Sequence, residues 1–207
     1  RDNVIFAAFG SAVRSYTPAS DSWGSTLVTL AENATDSINV RMGGTEYLVI
    51  AYSSGYIYFD GTNWVTSTKD VRYLDYWDDR LWGIDSTGLL WSSGTIGVTE
   101  DDAQIPLPNN SVTNLFQARA PDGDIILHAA TVRGVYAHNA DAQTFHPTEP
   151  RFPLHPDGGK GADSWRDAMY VSAGLGAYKK IGGPQGAVVT VVGPDQDHGL
   201  PAAYRGS

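Results

Sequence analysis

The chain has 207 residues, a formal net charge of −9 and no cysteine. An acidic surface disfavours nonspecific binding to nucleic acid or anionic membranes, because both depend on basic patches. The lack of cysteine excludes disulfides and thiolate metal sites, and no apolar stretch reaches the ~18 residues of a membrane span, so we expect no membrane insertion.

The dominant pattern in the sequence is a hairpin that recurs five times along the chain. Each copy has an apolar strand, a turn ending in Gly or Ser, and a second strand carrying an aromatic residue. The intervals between the turn residues range from 33 to 46 residues, and the turns end at Ser11, Gly55, Gly88, Gly134 and Gly176. A period of this length is typical of the blades of a β-propeller.

Further strands are expected on both sides of the hairpins. Alternating or nearly alternating segments precede four of the five, at residues 38–42, 71–77, 112–117 and 164–166. A fourth strand follows Trp23 and Trp64, whose side chains we expect to pack against the neighbouring unit. The sequence therefore predicts an all-β protein, a β-propeller of about five four-stranded blades, with almost no helix.

We assign the whole chain to a single propeller domain or a fragment of one. The approximate units are 1–33, 34–68, 69–110, 111–160 and 161–198, with 199–207 as a leading or closing strand. The first hairpin lacks its leading strand. Either the tail returns to close a five-bladed ring, or the chain is part of a six- to eight-bladed propeller. Because the chain begins at Arg1 rather than Met, we expect it to be a piece of a longer protein.

Three segments, 81–88, 130–138 and 192–201, together resemble propeller domains of tail-associated structural proteins of tailed bacteriophages. The resemblance implies a noncatalytic structural or binding module, extracellular or on the virion. Its partners would be other structural proteins or a cell-surface glycan or receptor. Residues 16–23 also resemble the Tyr and Trp framework of kelch repeats, which we attribute to packing that all blades share.

The alternative interpretation is a secreted lectin or a sialidase-like, glycan-active propeller. Residues 60–62 and 85–88 resemble the Asp-box turns of sialidases, which are structural. A sialidase also needs clustered arginines to bind a carboxylate, and the arginines here are scattered, at Arg14, Arg41, Arg72, Arg80, Arg119, Arg133 and Arg166. We therefore expect no enzyme activity. A third hypothesis is an intracellular scaffold that binds peptides, since one fold supports many roles.

The sequence contains only incomplete metal motifs. Asp195 and Asp197 alternate before a glycine, as calcium ligands do, but no third carboxylate follows. Residues 122–124 and 100–102 are equally incomplete. His138, His146, His155 and Asp157 are residue types that bind zinc or iron, but an isolated histidine on a strand or loop usually makes an ordinary hydrogen bond, and we expect that here. We expect no cofactor, with calcium at Asp195 and Asp197 as the one candidate.

The remaining candidates for function are binding residues on the surface. Trp77 beside Asp78, and Trp165 beside Arg166, pair a flat aromatic face with a charge in a loop. Loops at 99–110 and 147–161 are longer than a tight blade needs, and loops on a rigid scaffold commonly carry recognition. These four residues are our predicted contact positions.

Overall fold

The computed structural model shows a protein built of antiparallel sheets. The structure describes residues 4–97, 103–106, 112–120, 122–139, 141–142, 144–166, 168–173, 176–181 and 188–192. Nineteen strands, β1 to β19, form five sheets, and each sheet consists of strands that are consecutive in the chain. Within the described residues the only helical element is one 3-10 turn, Pro18–Ser20. The expected all-β fold is thus confirmed.

The strands have the following bounds. Sheet 1 has three strands, β1 (Ile5–Phe9), β2 (Ala12–Thr17) and β3 (Ser22–Thr29). Sheet 2 has β4 (Ala34–Met42), β5 (Thr45–Tyr52), β6 (Gly55–Phe59) and β7 (Trp64–Ser67), and sheet 3 has β8 (Tyr73–Trp77), β9 (Arg80–Ile84), β10 (Leu89–Ser93) and β11 (Ala103–Pro106). Sheet 4 has β12 (Val112–Arg119), β13 (Ile125–Thr131), β14 (Gly134–Asn139) and β15 (Thr144–Arg151), and sheet 5 has β16 (Asp163–Trp165), β17 (Ala168–Ser172), β18 (Ala177–Ile181) and β19 (Val188–Val192).

The chain forms two compact units, one of residues 1–86 and 91–103, the other of residues 87–90 and 104–207. The first contains sheets 1 and 2 with β8 and β9, and the second contains sheets 4 and 5. The expected lack of a leading strand in sheet 1 is found among the described residues. Residues 199–207, the predicted leading or closing strand, lie outside the described residues, and the single-domain assignment remains a prediction.

In the first unit, sheet 2 has apolar residues on both of its faces. One face joins sheet 1 in a cluster that includes Val13, Ile50 and Ile57. The other joins β8 and β9 in a second cluster, with members Val40, Met42, Val49, Ala51, Tyr56, Val71, Leu74, Leu81 and Trp91. Burial on both faces explains why β5 and β6 have nearly continuous apolar sequences instead of strict alternation.

The two tryptophans expected to pack against a neighbouring unit behave differently. Trp64 lies edge-on to Phe6 of sheet 1, with ring centroids 6.0 Å apart, as expected. Trp23 instead contacts Phe9 of its own sheet, with centroids 5.1 Å apart, and 40% of it is exposed. Both residues also lie inside strands, β3 and β7, and not in the preceding turns.

Gly83 on β9 is required by close packing. A Cβ placed there would overlap the ring of Trp91 and approach Val71 Cγ2 at 2.9 Å. The indole of Trp91 is buried in this space, and its Nε1 donates to the carbonyl of Asp70 at 3.2 Å. Gly83 in the second strand of sheet 3 thus leaves the space that the ring of Trp91 in the third strand fills.

The second unit has its own core between sheets 4 and 5. Phe116, Ala130 and Val135 of sheet 4 pack with Met169 and Val171 of sheet 5. In the same region the rings of Phe152 and Tyr178 stack with centroids 6.0 Å apart.

The two loops proposed as recognition loops are partly strands, which corrects the prediction. Residues 103–106 of the first form β11, and residues 147–151 of the second belong to β15, where Val135 pairs with Thr148 and Gly134 with Arg151. Proline suggested a loop at this point. A strand at the edge of a sheet can contain proline, because its outer N–H groups need no partner in the sheet.

Candidate functional site

The predicted contact residues occupy matching positions in two different sheets. Trp77 ends β8 and pairs with Arg80 across a two-residue turn, and Trp165 ends β16 and pairs with Ala168 across another. Trp77 therefore lies beside Asp78, and Trp165 beside Arg166, as the sequence requires. The two pairs belong to different compact units and are two separate candidate contact positions.

Trp77 is held inside its own hairpin. Its ring is tilted against that of Trp82 at a centroid distance of 6.0 Å, and its carbonyl accepts a hydrogen bond from Trp82 Nε1 at 2.9 Å. Asp78 and Asp79 are exposed and both have φ of 53°, the backbone of a type I′ turn. Trp77 is half-buried, so less of its ring is available for contact than the sequence suggested.

The turn of sheet 3 is fixed to the neighbouring sheet 2 by Tyr76. Its hydroxyl lies 2.6 Å from the carbonyl oxygen of Arg41 and 2.9 Å from Asp79 Oδ1. Burial and the adjacent Asp79 carboxylate raise the pKa of the Tyr76 phenol, so its proton stays in place. The backbone of β4 at Arg41 is therefore held at a defined position.

Trp165 is the more exposed tryptophan of the two, with 60% of its surface accessible. The guanidinium carbon of Arg166 lies 4.5 Å from its ring centroid, a cation–π contact made possible by a φ of 49° at Arg166. The ring of Tyr170 lies on the same tryptophan, with the two ring centroids 6.3 Å apart. Arg166 thus covers part of the aromatic surface that would contact a ligand.

The first unit has a groove of about 820 Å³ between sheets 1 and 2. Residues of β1, β4, β5 and β6 and the turn after β6 line it. The aromatic part consists of Phe6, Tyr47 and Phe59, and the charged part of Arg41, Glu46 and Asp60. The groove combines an apolar wall with a few polar groups, which is the usual composition of a binding site.

The groove exists because sheet 1 has three strands where sheet 2 has four. Within the described chain, no strand pairs with the outer edge of β1. β1 and β2 are joined by a two-residue turn, with Phe9 opposite Ala12. In such a hairpin the backbone groups of Phe9 and Ala7 bond to β2, so those of Phe6 and Ala8 point to the free edge.

The floor of the groove is polar, whereas the matching positions of sheet 3 are packed. Counted back from their turns, Asn39 and Arg41 of β4 occupy the positions of Leu74 and Tyr76 of β8. Leu74 is buried against sheet 2, whereas Asn39 and Arg41 are exposed in the groove. A packed apolar contact is thus replaced by groups that donate hydrogen bonds.

Asp60, on the rim of the groove, is committed to its own turn. Its Oδ1 accepts hydrogen bonds from the backbone N–H groups of Thr62 at 2.8 Å and Asn63 at 2.7 Å. These bonds lower the pKa of Asp60. The expectation that this Asp-box-like turn is structural agrees with these bonds. In the second such turn, Ser86 donates to a different carboxylate, that of Asp70.

The opposite face of sheet 1 carries an exposed aromatic cluster. Ile5 and Phe9 are each about half exposed, at 52% and 51%. Trp23 contacts both Phe9 and Tyr16, with centroids 5.1 and 5.3 Å apart. Arg14 lies over the ring of Phe9 at 5.8 Å. The free edge of β1 therefore has a polar groove on one side and apolar rings on the other.

The histidines do not converge. His138 pairs with Phe145 and His146 with Ala137, so neighbouring register positions place the two imidazoles on opposite faces of sheet 4. His155 lies 3.9 Å from Asp157, whose carboxylate binds Lys160 at 2.6 Å. In the part of the chain that the structure describes, no three His, Asp or Glu side chains are grouped as metal ligands. Asp195 and Asp197, the calcium candidates, lie outside that part.

The sequence missed the groove, although two signals point to it. One is the first hairpin without a leading strand. The other is the exposed row Thr35, Ser37, Asn39 and Arg41 on β4, whose alternate residues Val40 and Met42 are buried. A polar row on a strand with only one buried face marks a face that no neighbouring strand covers.

The chain matches no protein-family model and no curated protein sequence. It is similar to solved structures. The extracellular domain of BT3049 from B. thetaiotaomicron, described as a hybrid two-component system, matches with a TM-score of 0.64 and 16% identity over 97% of this chain and 28% of that one. BBS1N, crystallised with ARL6DN, matches with a TM-score of 0.62 and 15% identity over 91% of this chain and 63% of that one.

Sqt1 of Saccharomyces cerevisiae also matches, with a TM-score of 0.60 and 11% identity, over 92% of this chain and 58% of that one. This chain spans between about a quarter and two thirds of these proteins' lengths. At such identities the likeness shows the fold alone. Nothing in these matches points to bacteriophage tail proteins. The chain has an all-β fold of antiparallel sheets similar to that of β-propeller proteins.

Proposed function

We propose that this chain is a noncatalytic binding module that takes an extended segment of a protein partner into the groove of its first unit. The observation that carries the proposal is the outer edge of β1, with which no strand of the described chain pairs, beside a groove of about 820 Å³. An exposed strand edge is a template for an added strand, whose main chain supplies affinity while flanking side chains supply specificity. The backbone groups of Phe6 and Ala8 are in position for this pairing.

The setting we propose is an extracellular or virion protein. The similar domain of BT3049 is an extracellular domain, and BBS1N was crystallised in complex with ARL6DN. Similar folds therefore occur both outside the cell and in complexes with other proteins. The resemblance to tail-associated proteins of bacteriophages supports the virion as the specific setting, with a structural protein or a cell-surface receptor as partner. The part of the chain that the structure describes has no helix long and apolar enough to cross a bilayer.

Two observations support the noncatalytic part of the proposal. Arg14 lies on the outer face of sheet 1, over Phe9, whereas Arg41 lines the groove on the other side. These arginines therefore cannot form the carboxylate clamp of a sialidase together. The Asp60 carboxylate, one of the two acids that line the groove, is bound by its own turn.

A direct test compares peptide binding with glycan binding. The chain is applied to an array of immobilised random-sequence peptides and to a glycan array, and a hydrolase screen is run in parallel. We expect retention on a subset of peptides without glycan retention or turnover. Glycan binding without peptide binding would favour the lectin alternative, and turnover of any glycan would overturn the proposal.

A backbone variant locates the binding. Ala8→Pro removes the outward N–H of β1 without removing a bond to β2, since an edge strand tolerates proline on its solvent side. We expect it to lose peptide binding, while Ala8→Val, which keeps the N–H, retains it. Near-ultraviolet circular dichroism identifies a variant that has lost its fold, and Arg41→Gln then provides the second test at the same groove. Unchanged binding by folded Ala8→Pro would contradict strand addition.

A further inference from the structure

The core between sheets 4 and 5 contains two basic side chains. His128 of β13 and Lys180 of β18 are buried, with 3% and 8% of their surface exposed. His128 lies two residues before Ala130 on the same strand, and Lys180 pairs with Met169. Because Ala130 and Met169 both belong to this core, His128 and Lys180 face it from opposite sheets.

The matching position in the first unit is apolar. Counted back from the turn that ends each strand, His128 of β13 occupies the position of Val49 of β5. Val49 is fully buried in the apolar cluster that sheet 2 forms with β8 and β9. The second unit thus carries an imidazole where the first carries an aliphatic side chain, and only an imidazole can take up a proton in weak acid.

The surroundings of His128 keep its ring uncharged near neutral pH. The ring stacks on that of Phe116, with centroids 5.4 Å apart, and its Nδ1 lies 3.0 Å from the carbonyl oxygen of Ile126. Burial, and to a smaller extent the positive Lys180, lower the pKa of His128 to about 4, although the contact with the Ile126 carbonyl opposes this. A proton on this ring is therefore a charge in the apolar part of the core, which is unfavourable.

Lys180 already places one positive charge in this core. Its Nζ donates a hydrogen bond to Thr148 Oγ1, a neutral acceptor, at 2.8 Å. Burial lowers the pKa of Lys180, and Glu149 opposes this. Glu149 itself is exposed, and its carboxylate accepts the backbone N–H of Arg151 at 3.0 Å. The ammonium is thus held between the two sheets by a hydroxyl group.

The other described elements around His128 offer little to offset a second charge. The side chains that share its core from β12, β14 and β17 are apolar, namely Phe116, Ala137, Met169 and Val171. From β18 comes Tyr178, whose ring stacks on Phe152, and from β15 comes the exposed His146, in the same row of the sheet as His128. Neither a phenol nor an imidazole carries a negative charge in acid, so Glu149 is left as the acid that acts on this side of the core.

We propose that acid releases the contact between sheets 4 and 5, because a proton on His128 puts a second positive charge into the core that Lys180 occupies. The two sheets then separate locally, so that the imidazolium and the ammonium reach water while the first unit keeps its structure. The separation uncovers apolar side chains of both sheets, including Met169 and Val171. This inference goes beyond the proposed function, whose groove belongs to the first unit.

The direction and size of the effect follow from the proton that the separated form takes up. The pKa of His128 is about 4 in the closed core and returns toward 6.5 when the ring reaches water. The equilibrium for opening therefore rises as the pH falls from 6.5 toward 4, by about 20-fold between pH 7 and pH 5. Above pH 7 both forms carry a neutral imidazole, and His128 adds no further dependence on pH.

Hydrogen–deuterium exchange followed by mass spectrometry tests the release in the full chain at pH 7 and pH 5. The rates are corrected for the pH dependence of chemical exchange, so that they report the opening equilibrium of each segment. We expect this equilibrium to rise about 20-fold in peptides from β13 and β17, with no comparable rise in peptides from β5 and β6. An unchanged equilibrium in β13 and β17, or an equal rise in all four strands, overturns the inference.

Variants assign the release to the two basic residues. His128→Phe keeps a ring beside Phe116 and should abolish the rise. Lys180→Met keeps the buried stem and should make the rise smaller, because the proton then enters a core without another positive charge. His146→Gln is the matched control, since His146 is exposed in the same row of the sheet, and should keep the full rise.

A rise that persists in His128→Phe overturns the inference. Near-ultraviolet circular dichroism at pH 7 identifies a variant that has lost its fold. If His128→Phe has done so, Lys180→Met decides, and a rise in this variant as large as that of the natural chain overturns the inference as well.

Discussion

The carboxylate of Asp36 on β4 accepts a hydrogen bond from the backbone N–H of Leu74 on β8, at 2.8 Å between Oδ2 and nitrogen. Its other oxygen accepts from Ser37 N–H at 2.7 Å. This is a side-chain bond between the first strands of two successive sheets. Burial raises the pKa of Asp36, against the opposing effect of these two N–H donors. The bond holds β8 against β4, and so holds the strand that forms the floor of the groove.

Replacement of Asp36 should therefore destabilise the first unit. Asp36→Ala leaves the Leu74 N–H without its acceptor, and we expect a loss of about 1–3 kcal/mol in the free energy of unfolding. Asp36→Asn keeps one acceptor oxygen and should cost less. Urea denaturation followed by tryptophan fluorescence measures both. Equal stability of the alanine variant and the natural chain would show that this bond contributes nothing.

Gly83→Ala should destabilise the same unit for a different reason. The added methyl group overlaps the Trp91 ring, and overpacking of this kind costs about 1–3 kcal/mol. Gly24→Ala is the matched control. A Cβ at Gly24, also in a strand, meets its nearest neighbours at an ordinary 3.5 Å. Thermal unfolding should show a lower midpoint for the first variant only, and similar midpoints for both would argue against close packing at Gly83.

Asp78 can be tested as a turn residue independently of binding. Its φ of 53° is tolerated by Asp, Asn and Gly and is strained for a β-branched residue. We expect Asp78→Val to cost about 1–2 kcal/mol and Asp78→Asn to leave the stability unchanged or slightly raise it. Asp78→Asn removes the charge of this predicted contact residue while keeping its turn, so it is the variant in which to test whether Asp78 contributes to peptide binding. A loss of stability in Asp78→Asn would show that the carboxylate has a structural partner.

His128 should make the second unit sensitive to acid. Burial, with a smaller contribution from the positive Lys180, lowers the pKa of His128 from 6.5 to about 4, although its contact with the Ile126 carbonyl opposes this. Since the folded pKa lies below the unfolded one, the unfolded chain binds more protons between these values. Stability is therefore complete above pH 6.5 and decreases as the pH falls toward 4.

The size of this effect is about 3 kcal/mol, at about 1.4 kcal/mol for each pKa unit. Urea denaturation at several pH values measures it. His128→Phe, which keeps a ring beside Phe116, should flatten the dependence, whereas the exposed His146→Gln should not. An identical pH dependence in His128→Phe and the natural chain would exclude His128 as the cause.

Part of the fold could be read from local pattern. The two strands of the hairpin at Gly55 were located correctly, because a hairpin's apolar strands and turn are adjacent in the chain, although Gly55 itself begins β6 and pairs with Tyr52. Arg151 shows the opposite case. The segment around it looks like a proline-rich loop in the sequence, yet Arg151 belongs to β15 and pairs with Gly134 of β14. Pairing at a sheet edge depends on a partner strand and on solvent beyond it, neither of which is visible in the segment itself.

The predicted contact residues show the same limit. Exposure of Trp165 was anticipated, but its partial cover by Arg166 depends on the left-handed backbone of that turn. Trp77 ends the strand predicted at residues 71–77, but its contact with the ring of Trp82 was not predicted. The type of residue was informative in both cases. The fraction of its surface left for a partner depends on neighbours that the pattern does not specify.

Local pattern was enough to predict the repeated hairpins, the all-β class and, among the described residues, a first sheet without a leading strand, because turns and alternation are properties of neighbouring residues. Local pattern does not show that Asn39 and Arg41 line a groove, whereas Leu74 and Tyr76 at the same positions of the next sheet pack against a neighbour. The physical reason is that a polar residue on a strand is equally compatible with solvent and with a binding site. Which of these it faces depends on whether another sheet covers it.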